Sequence, residues 1–370
     1  MKSISHNVFC GVLTITTLFT NDFAQAQEEV IVKIGHAAPK TGFLAYLGID
    51  SENGAALAVQ EINSHENLMV GNKRIRLELI GEDDEAQPKL AHIVAQKLVD
   101  AGVTAVVGHM NSGLSIPANA IYAAAGIPQI SPSSTSPAYT KHSEKTPMGN
   151  ISAYRVVSND ESMPFALASY VVKHTHFRNI LVLNDGTNYG YTMAGKFLDA
   201  LDNKSINTII ESSLSDKMVN FKPILKKYAH ANIDAVFWGG LDDTAIHLAR
   251  DTHSLGWSAP IIGADGMCTD YFAVMAGIAG DNAICSINGI PTSEMKLGER
   301  FDQNYRKMFP GMRVQIYSPY SYDAVYTLAE AIKIANSIKP EAIAKALRQV
   351  DFEGLTGRIR FDESGDVECK

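Results

Sequence analysis

Short runs of apolar, β-branched residues alternate with helical patterns along almost the whole chain, and this alternation limits the possible folds more than any other feature. Strand-like runs fall at 30–35, 74–80, 103–107 and 127–130, with helical patterns at 51–63, 88–101 and 118–125 between them. A second set repeats the order: strands at 153–157, 180–183, 208–211, 234–238, 260–263 and 283–287, helices at 164–173, 192–201, 221–229 and 244–255. Helical patterns at 300–309, 320–337 and 341–349 follow. Strands that are each separated by a helix form parallel sheets covered on both faces. The nearly continuous apolar run at 180–183 fits burial on both sides. The expected fold class is therefore α/β, with two doubly wound parallel-sheet lobes, and a chain of 370 residues is long enough for both.

In open parallel sheets ligands bind beyond the carboxyl ends of the strands, so the segments that follow each strand carry the functional candidates. Here these are 36–46, 109–113, 131–135, 184–189, 239–243 and 264–268, rich in Ser, Thr, Asn, Tyr and Gly with few carboxylates. Such a set supplies hydrogen bonds to a small polar or zwitterionic ligand. Ser112 and Thr135 follow consecutive strands, next to helix or turn N–H groups, and suit a carboxylate; the competing reading is that they only cap and turn the chain. Asp265 in the other half suits an ammonium group. Asp242 and Asp243 are neighbouring candidates that can instead cap the helix after them. Tyr46, Tyr189, Trp238 and Tyr317 can wall a ligand, with Trp238 equally suited to plain core.

Forty acidic against 32 basic residues, a net charge of -8, argue against a nucleic-acid partner. No catalytic signature of the nucleophile-elbow, zinc-protease, phosphate-loop or dinucleotide type is present, and no histidine or cysteine spacing suggests a metal site. No enzyme activity, cofactor or metal is expected. At the amino terminus Lys2 precedes an apolar stretch at 8–19 that ends near Ala24-Gln25-Ala26, which reads as a secretory signal peptide over 1–26. Beyond it only Cys268, Cys285 and Cys369 remain. In an oxidising compartment Cys268 and Cys285 can close a loop; the alternative is two small buried thiols.

Several blocks carry a family resemblance. Val32-Lys-Ile-Gly35, Pro39-Lys-Thr-Gly42, Ala45-Tyr-Leu-Gly48 and the stretch from Asn53 to Asn63 resemble the opening of the leucine/isoleucine/valine-binding proteins, type I periplasmic solute-binding proteins of ABC importers. Asp83-Asp84, Pro88, the segment from Val107 to Ser112, that from Ile130 to Thr135, Asn188-Tyr-Gly190, Gly239-Gly240 and Phe361-Asp-Glu-Ser-Gly365 resemble further blocks in the same order. The resemblance implies two lobes joined by a three-strand hinge, closing on a branched-chain or related amino acid. It also implies a periplasmic, monomeric component that delivers its ligand to inner-membrane permease subunits; an extracellular sensing module is the alternative. The expected lobes are 27–154 with 291–356, and 155–290 with 357–370. A Cys268–Cys285 disulfide is expected within the second.

Carried over by position, Ser112, Ser133 and Thr135 hold the ligand's carboxylate and part of its ammonium, and Asp265 balances the ammonium. Tyr46, Met110, Asn111, Ser134, Tyr189 and Tyr317 surround the side chain. Leu241 stands where the leucine-type binders have a tyrosine, and Asp265 where they have a longer glutamate. Asn111 and Ala86 replace the cysteines of their first-lobe disulfide. The sequence stops at Lys370, soon after the last matching block, where family members add final strands to the second lobe, so those strands are expected to be absent.

Overall fold

The computed structural model describes residues 28–201, 206–211 and 214–368; the expected signal peptide lies outside them. The first sheet contains β1 (Glu29–Ala38), β2 (Met69–Val70), β3 (Lys73–Asp83), β4 (Ala105–Gly108), β5 (Gln129–Ser131) and β6 (Ala153–Arg155). Its spatial order is β2-β3-β1-β4-β5-β6, parallel except for the short β2–β3 hairpin. Helices α1 (Ala45–His65), α2 (Ala91–Asp100), α3 (Ser112–Ala124) and α4 (Ala138–Lys141) connect these strands.

The chain then enters the second sheet, formed by β7 (Asn179–Asn184), β8 (Asn207–Glu211), β9 (Ala235–Gly239), β10 (Ile261–Gly263) and β11 (Ile284–Cys285). This sheet is wholly parallel, in the order β11-β10-β9-β7-β8. Helices α5 (Met163–His174), α6 (Asn188–Leu201), α7 (Lys222–Lys227), α8 (Asp242–Ser254) and α9 (Asp270–Ala276) flank it. After β11 the chain returns to the first sheet with α10 (Gly298–Met308), α11 (Ser318–Ala335), α12 (Pro340–Leu347) and the hairpin β12 (Asp351–Glu353)–β13 (Arg358–Arg360).

Alternation along the strands accounts for the layers. In β7, Leu181 and Leu183 pack with Trp238 and α8 on one face, while Ile180 and Val182 pack with Phe197 and Phe237 on the other. The first sheet is covered likewise, by α1, α11 and α12 on one side and by α2 and α3 on the other. Two glycines let α1 lie where it does. A Cβ at Gly54 would sit 2.1 Å from the Ser318 carbonyl oxygen at the start of α11, and one at Gly48 would sit 1.7 Å from the Pro39 oxygen.

The described end of the chain departs from the expected division. Ile359 and Phe361 are buried in the core of the first lobe, so residues 357–368 belong with that lobe and not with the second. The segment turns at 362–365, which sets Asp366 beside Arg155 of β6 and brings Val367 back against Phe361. Arg155 is fully buried. Its Nε donates to Asp366 Oδ1 at 2.6 Å, and its terminal nitrogens donate to the Ser134 carbonyl at 2.8 Å and Thr140 Oγ1 at 2.6 Å. In the second lobe Cys268 and Cys285 are joined as a disulfide, with Cα atoms 5.5 Å apart, tying the segment after β10 to edge strand β11.

Candidate functional site

In each sheet the strand order reverses at one place, between β1 and β4 in the first and between β7 and β9 in the second, and the crevices outside these switch points are where a ligand fits. The two crevices face each other. A Cβ at Gly113, in the first turn of α3, would lie 4.0 Å from Asn188 Cβ at the start of α6. The segments after β1, β4, β5 and β6 thus meet those after β7, β9 and β10.

Asp265, just beyond β10, is only 2% exposed. It accepts hydrogen bonds from Tyr189 Oη and Asn288 Nδ2, both at 2.8 Å, and from Tyr317 Oη across the cleft at 3.3 Å. Burial raises its pKa, with the tyrosine hydroxyls and the Gly266 N–H pulling the other way. Burial also lifts the Tyr189 and Tyr317 hydroxyls well above their ordinary range, so both remain donors.

On the facing side Asn111 is the N-cap of α3 but makes no side-chain capping bond, and Ser112 opens the helix, whose first N–H groups have no partner within it. The Asn111 Oδ1 and Thr135 Oγ1 atoms are buried without a hydrogen-bond partner. Ser133 and Ser134 are used differently. Their hydroxyls donate to main-chain oxygens of Met110 and His109, and Ser115 and Ser131 brace the same His109 carbonyl. These two serines therefore hold the shape of the turn after β4.

The apolar candidates converge. Tyr46, Met110 and Tyr317 from the first lobe form one cluster with Leu241 from the second, backed by Leu44 and Leu47. Over it the Tyr46 hydroxyl donates to Asp242, which also accepts from Thr269 Oγ1. The Phe43 and Tyr46 rings rest on Tyr271 with centroids 5.5 and 5.1 Å away. Asp242 thus joins the lobes rather than capping α8, and burial pushes its pKa up to about 6. Trp238 is core, its Nε1 donating to the Leu241 carbonyl at 3.1 Å.

Neither strand-end histidine opens on the cleft. His109 is fully buried between Asp84 at 2.8 Å and the Tyr122 hydroxyl at 3.1 Å. His36 bonds Ser51, and burial, reinforced by the Lys40 charge, lowers its pKa to about 3. The sequence reading missed Asp160, which lies five residues beyond β6 and is fully buried, its carboxylate beside the Thr135 hydroxyl and otherwise without a hydrogen-bond partner. Its position after a strand is the same signal that singled out Asp265. Asn288, which holds Asp265, was missed as well.

A cavity of about 50 Å³ borders the site, lined in part by Asp265, Asn288, Tyr317 and Tyr320. A larger one, about 340 Å³, lies on the outer side of the first lobe among α1, α10, α11 and β12 and shares no residue with the cleft. Among the described residues no group of acidic, His and Cys side chains could hold a metal ion, and no helix is long and apolar enough to cross a membrane.

A sequence model of the periplasmic binding protein family matches residues 31–367. The chain belongs to that family. A Leu/Ile/Val-binding protein homolog 1 from Brucella suis is 30% identical over 360 residues, spanning 97% of this chain and 92% of its own. The leucine-, isoleucine-, valine-, threonine- and alanine-binding protein of Pseudomonas aeruginosa is 28% identical over 91% of this chain and 87% of its own. Among solved structures, the branched-chain amino acid transporter substrate-binding protein LivJ of Streptococcus pneumoniae, in complex with isoleucine, superimposes with a TM-score of 0.80 at 25% identity, covering 91% of this chain and 94% of its own. The two-lobed frame of this periplasmic binding protein thus matches that of a substrate-binding component.

Proposed function

We propose that the protein is the periplasmic substrate-binding component of an ABC importer and that it takes a branched-chain or related small aliphatic amino acid between its lobes. The observation that carries this reading is the meeting, in one closed cleft, of a buried carboxylate, hydroxyls beside a helix N-terminus, and an apolar cluster built from both lobes. Ser112, Thr135 and the N–H groups of α3 receive the α-carboxylate. Asp265, oriented by Tyr189, Asn288 and Tyr317, balances the ammonium. Tyr46, Met110, Leu241 and Tyr317 enclose the side chain, with Asn111 at its edge, while Ser133 and Ser134 shape the turn. The chain acts as an exported monomer that hands its ligand to permease subunits, and it catalyses no reaction.

Thermal unfolding in the presence of single amino acids tests the ligand class, because a ligand at 100 times its dissociation constant adds about 2.7 kcal/mol. Branched-chain amino acids should raise the unfolding temperature, and the same carbon skeletons without the amino group should not. Asp265→Asn should weaken binding by about 3–5 kcal/mol, since the ammonium is left without its countercharge in a dry cleft. On a titration calorimeter that is roughly a hundred- to several thousandfold. A panel with no stabilising aliphatic amino acid, or an Asp265→Asn protein that binds like the parent, would overturn the proposal.

A further inference from the structure

We infer that the Cys268–Cys285 disulfide is a positioning element of the ligand site: it keeps Asn288 where it can hold Asp265, so that reducing it weakens ligand binding in a protein that stays folded. The inference rests on the amino-acid reading above and adds a covalent control to it. The two cysteines stand at equal steps from the pair they serve, Cys268 three residues after Asp265 and Cys285 three residues before Asn288. On the first arm the Cys268 N–H donates to the Ala264 and Asp265 carbonyls, both at 3.1 Å, so cysteine and carboxylate share one turn. On the second arm Cys285 ends β11, a two-residue edge strand that pairs with β10 at Ile262 and Gly263. The bond from Asn288 Nδ2 to Asp265 Oδ2 then closes a small ring whose opposite closure is the disulfide.

Without the disulfide, Asp265 and Asn288 are joined covalently only through the whole of 266–287, by way of α9. The arm after β11 has few other restraints towards Asp265. Its Ser286 N–H donates to the Gly263 carbonyl at 3.2 Å, but the Ser286 Oγ and Asn288 Oδ1 atoms have no hydrogen-bond partner. The Tyr320 hydroxyl holds the Asn288 carbonyl from the first lobe, and so does not fix it against Asp265. The cavity of about 50 Å³ lies against Ile287 and Asn288 and leaves the arm room to shift. Cys285 is exposed and Cys268 half-buried, so a reductant can reach the bond. A dithiol supplies two electrons and two protons: the S–S bond breaks, each cysteine becomes a thiol, and the dithiol closes to its own disulfide. Asp265 then keeps the Tyr189 hydroxyl but loses the donor that the arm held against it. A hydrogen bond to a charged group corresponds to about ten- to hundredfold in affinity.

Calorimetric titration with L-leucine, L-isoleucine, L-valine and L-alanine, before and after treatment with dithiothreitol, tests this, with the freed thiols identified by alkylation and peptide mapping. Reduction, or the pair Cys268→Ser and Cys285→Ser, should lower affinity about ten- to hundredfold with the far-ultraviolet circular dichroism unchanged. Asn288→Ala should bind weakly while still oxidised, and reduction should then cost it little more, a non-additivity that general loosening of the lobe does not produce. Linkage demands the reciprocal effect. Ligand saturating both forms should raise the ratio of reduced to oxidised dithiothreitol at half-reduction by the same factor, about 30–60 mV. Reduced protein that binds within twofold of the parent, or reduction that costs Asn288→Ala as much as it costs the parent, overturns the inference while the amino-acid reading stands. Loss of the circular dichroism on reduction overturns it too, since the disulfide then holds the lobe and not the site. If none of the four amino acids binds the oxidised protein, the amino-acid reading falls, and the inference with it.

Discussion

Tyr46→Phe isolates the contact that spans the mouth of the cleft. The substitution keeps the ring that rests on Tyr271 and removes only the hydroxyl that donates to Asp242 in the opposite lobe. A hydrogen bond to a charged group is worth about 1.5–3 kcal/mol. Asp242 retains the Thr269 hydroxyl, so the loss should lie in the lower half of that range. The bond exists only when the lobes are closed, and its loss therefore acts on the closed state alone. Affinity for the amino acid that binds the parent should fall roughly ten- to fortyfold at pH 7. Asp242 titrates at about 6, so it is charged at pH 7 and largely protonated at pH 5, where the difference between parent and variant should shrink. Calorimetry at both pH values gives the affinities, and small-angle scattering with and without ligand gives the degree of closure. A variant that binds within twofold of the parent at pH 7 and closes to the same compactness would refute the latch.

Asp366→Ala should lower stability by about 3–5 kcal/mol, since it strands the Arg155 guanidinium in the core. Urea unfolding should show the midpoint dropping accordingly, and an unchanged midpoint would mean that the pair contributes nothing. His36 is neutral in the fold down to about pH 3 but takes up a proton near pH 6.5 when unfolded, so its contribution to stability is lost as pH falls from 6.5 towards 3. Asp50, raised to about 6, acts in the opposite direction over part of that window. The informative quantity is thus the difference in pH slope between the parent and His36→Gln, which should approach about 1.4 kcal/mol per pH unit below pH 6; identical slopes would contradict it.

The alternation of strand and helix was legible because it is written in consecutive residues, and every strand-like run of the sequence has its counterpart in one of the two sheets. What was hidden depends on contacts distant in the chain. Gly48 makes the first turn of α1 look like a loop, yet it is glycine because Pro39 lies against it. Pro117 makes the first half of α3 read as a break, so the sequence placed that helix at 118–125 when it begins at Ser112. The sides of the site could be named from strand ends, and Tyr46, Met110, Leu241 and Tyr317 do meet. The uses of Ser133, Ser134 and Asp242 could not be read this way, because each depends on which main-chain or side-chain atom stands opposite once the lobes close. The side taken by residues 357–368 likewise follows from the buried Arg155–Asp366 pair, which local sequence does not reveal.

Asn288 has two bonds that lead in different directions. Its amide holds Asp265, and its carbonyl accepts the Tyr320 hydroxyl at 2.6 Å, on the stretch by which the chain passes back from β11 to the first lobe. A charge placed against Asp265 is therefore felt, through one residue, by a connection that must bend for the lobes to part. Occupancy and closure then share a single equilibrium: the ligand acts by weighting one arrangement of that connection over another, and the affinity measured for it includes the cost of bringing the lobes together. Substitutions at Asn288 should accordingly change how often the empty protein closes as well as how tightly it binds.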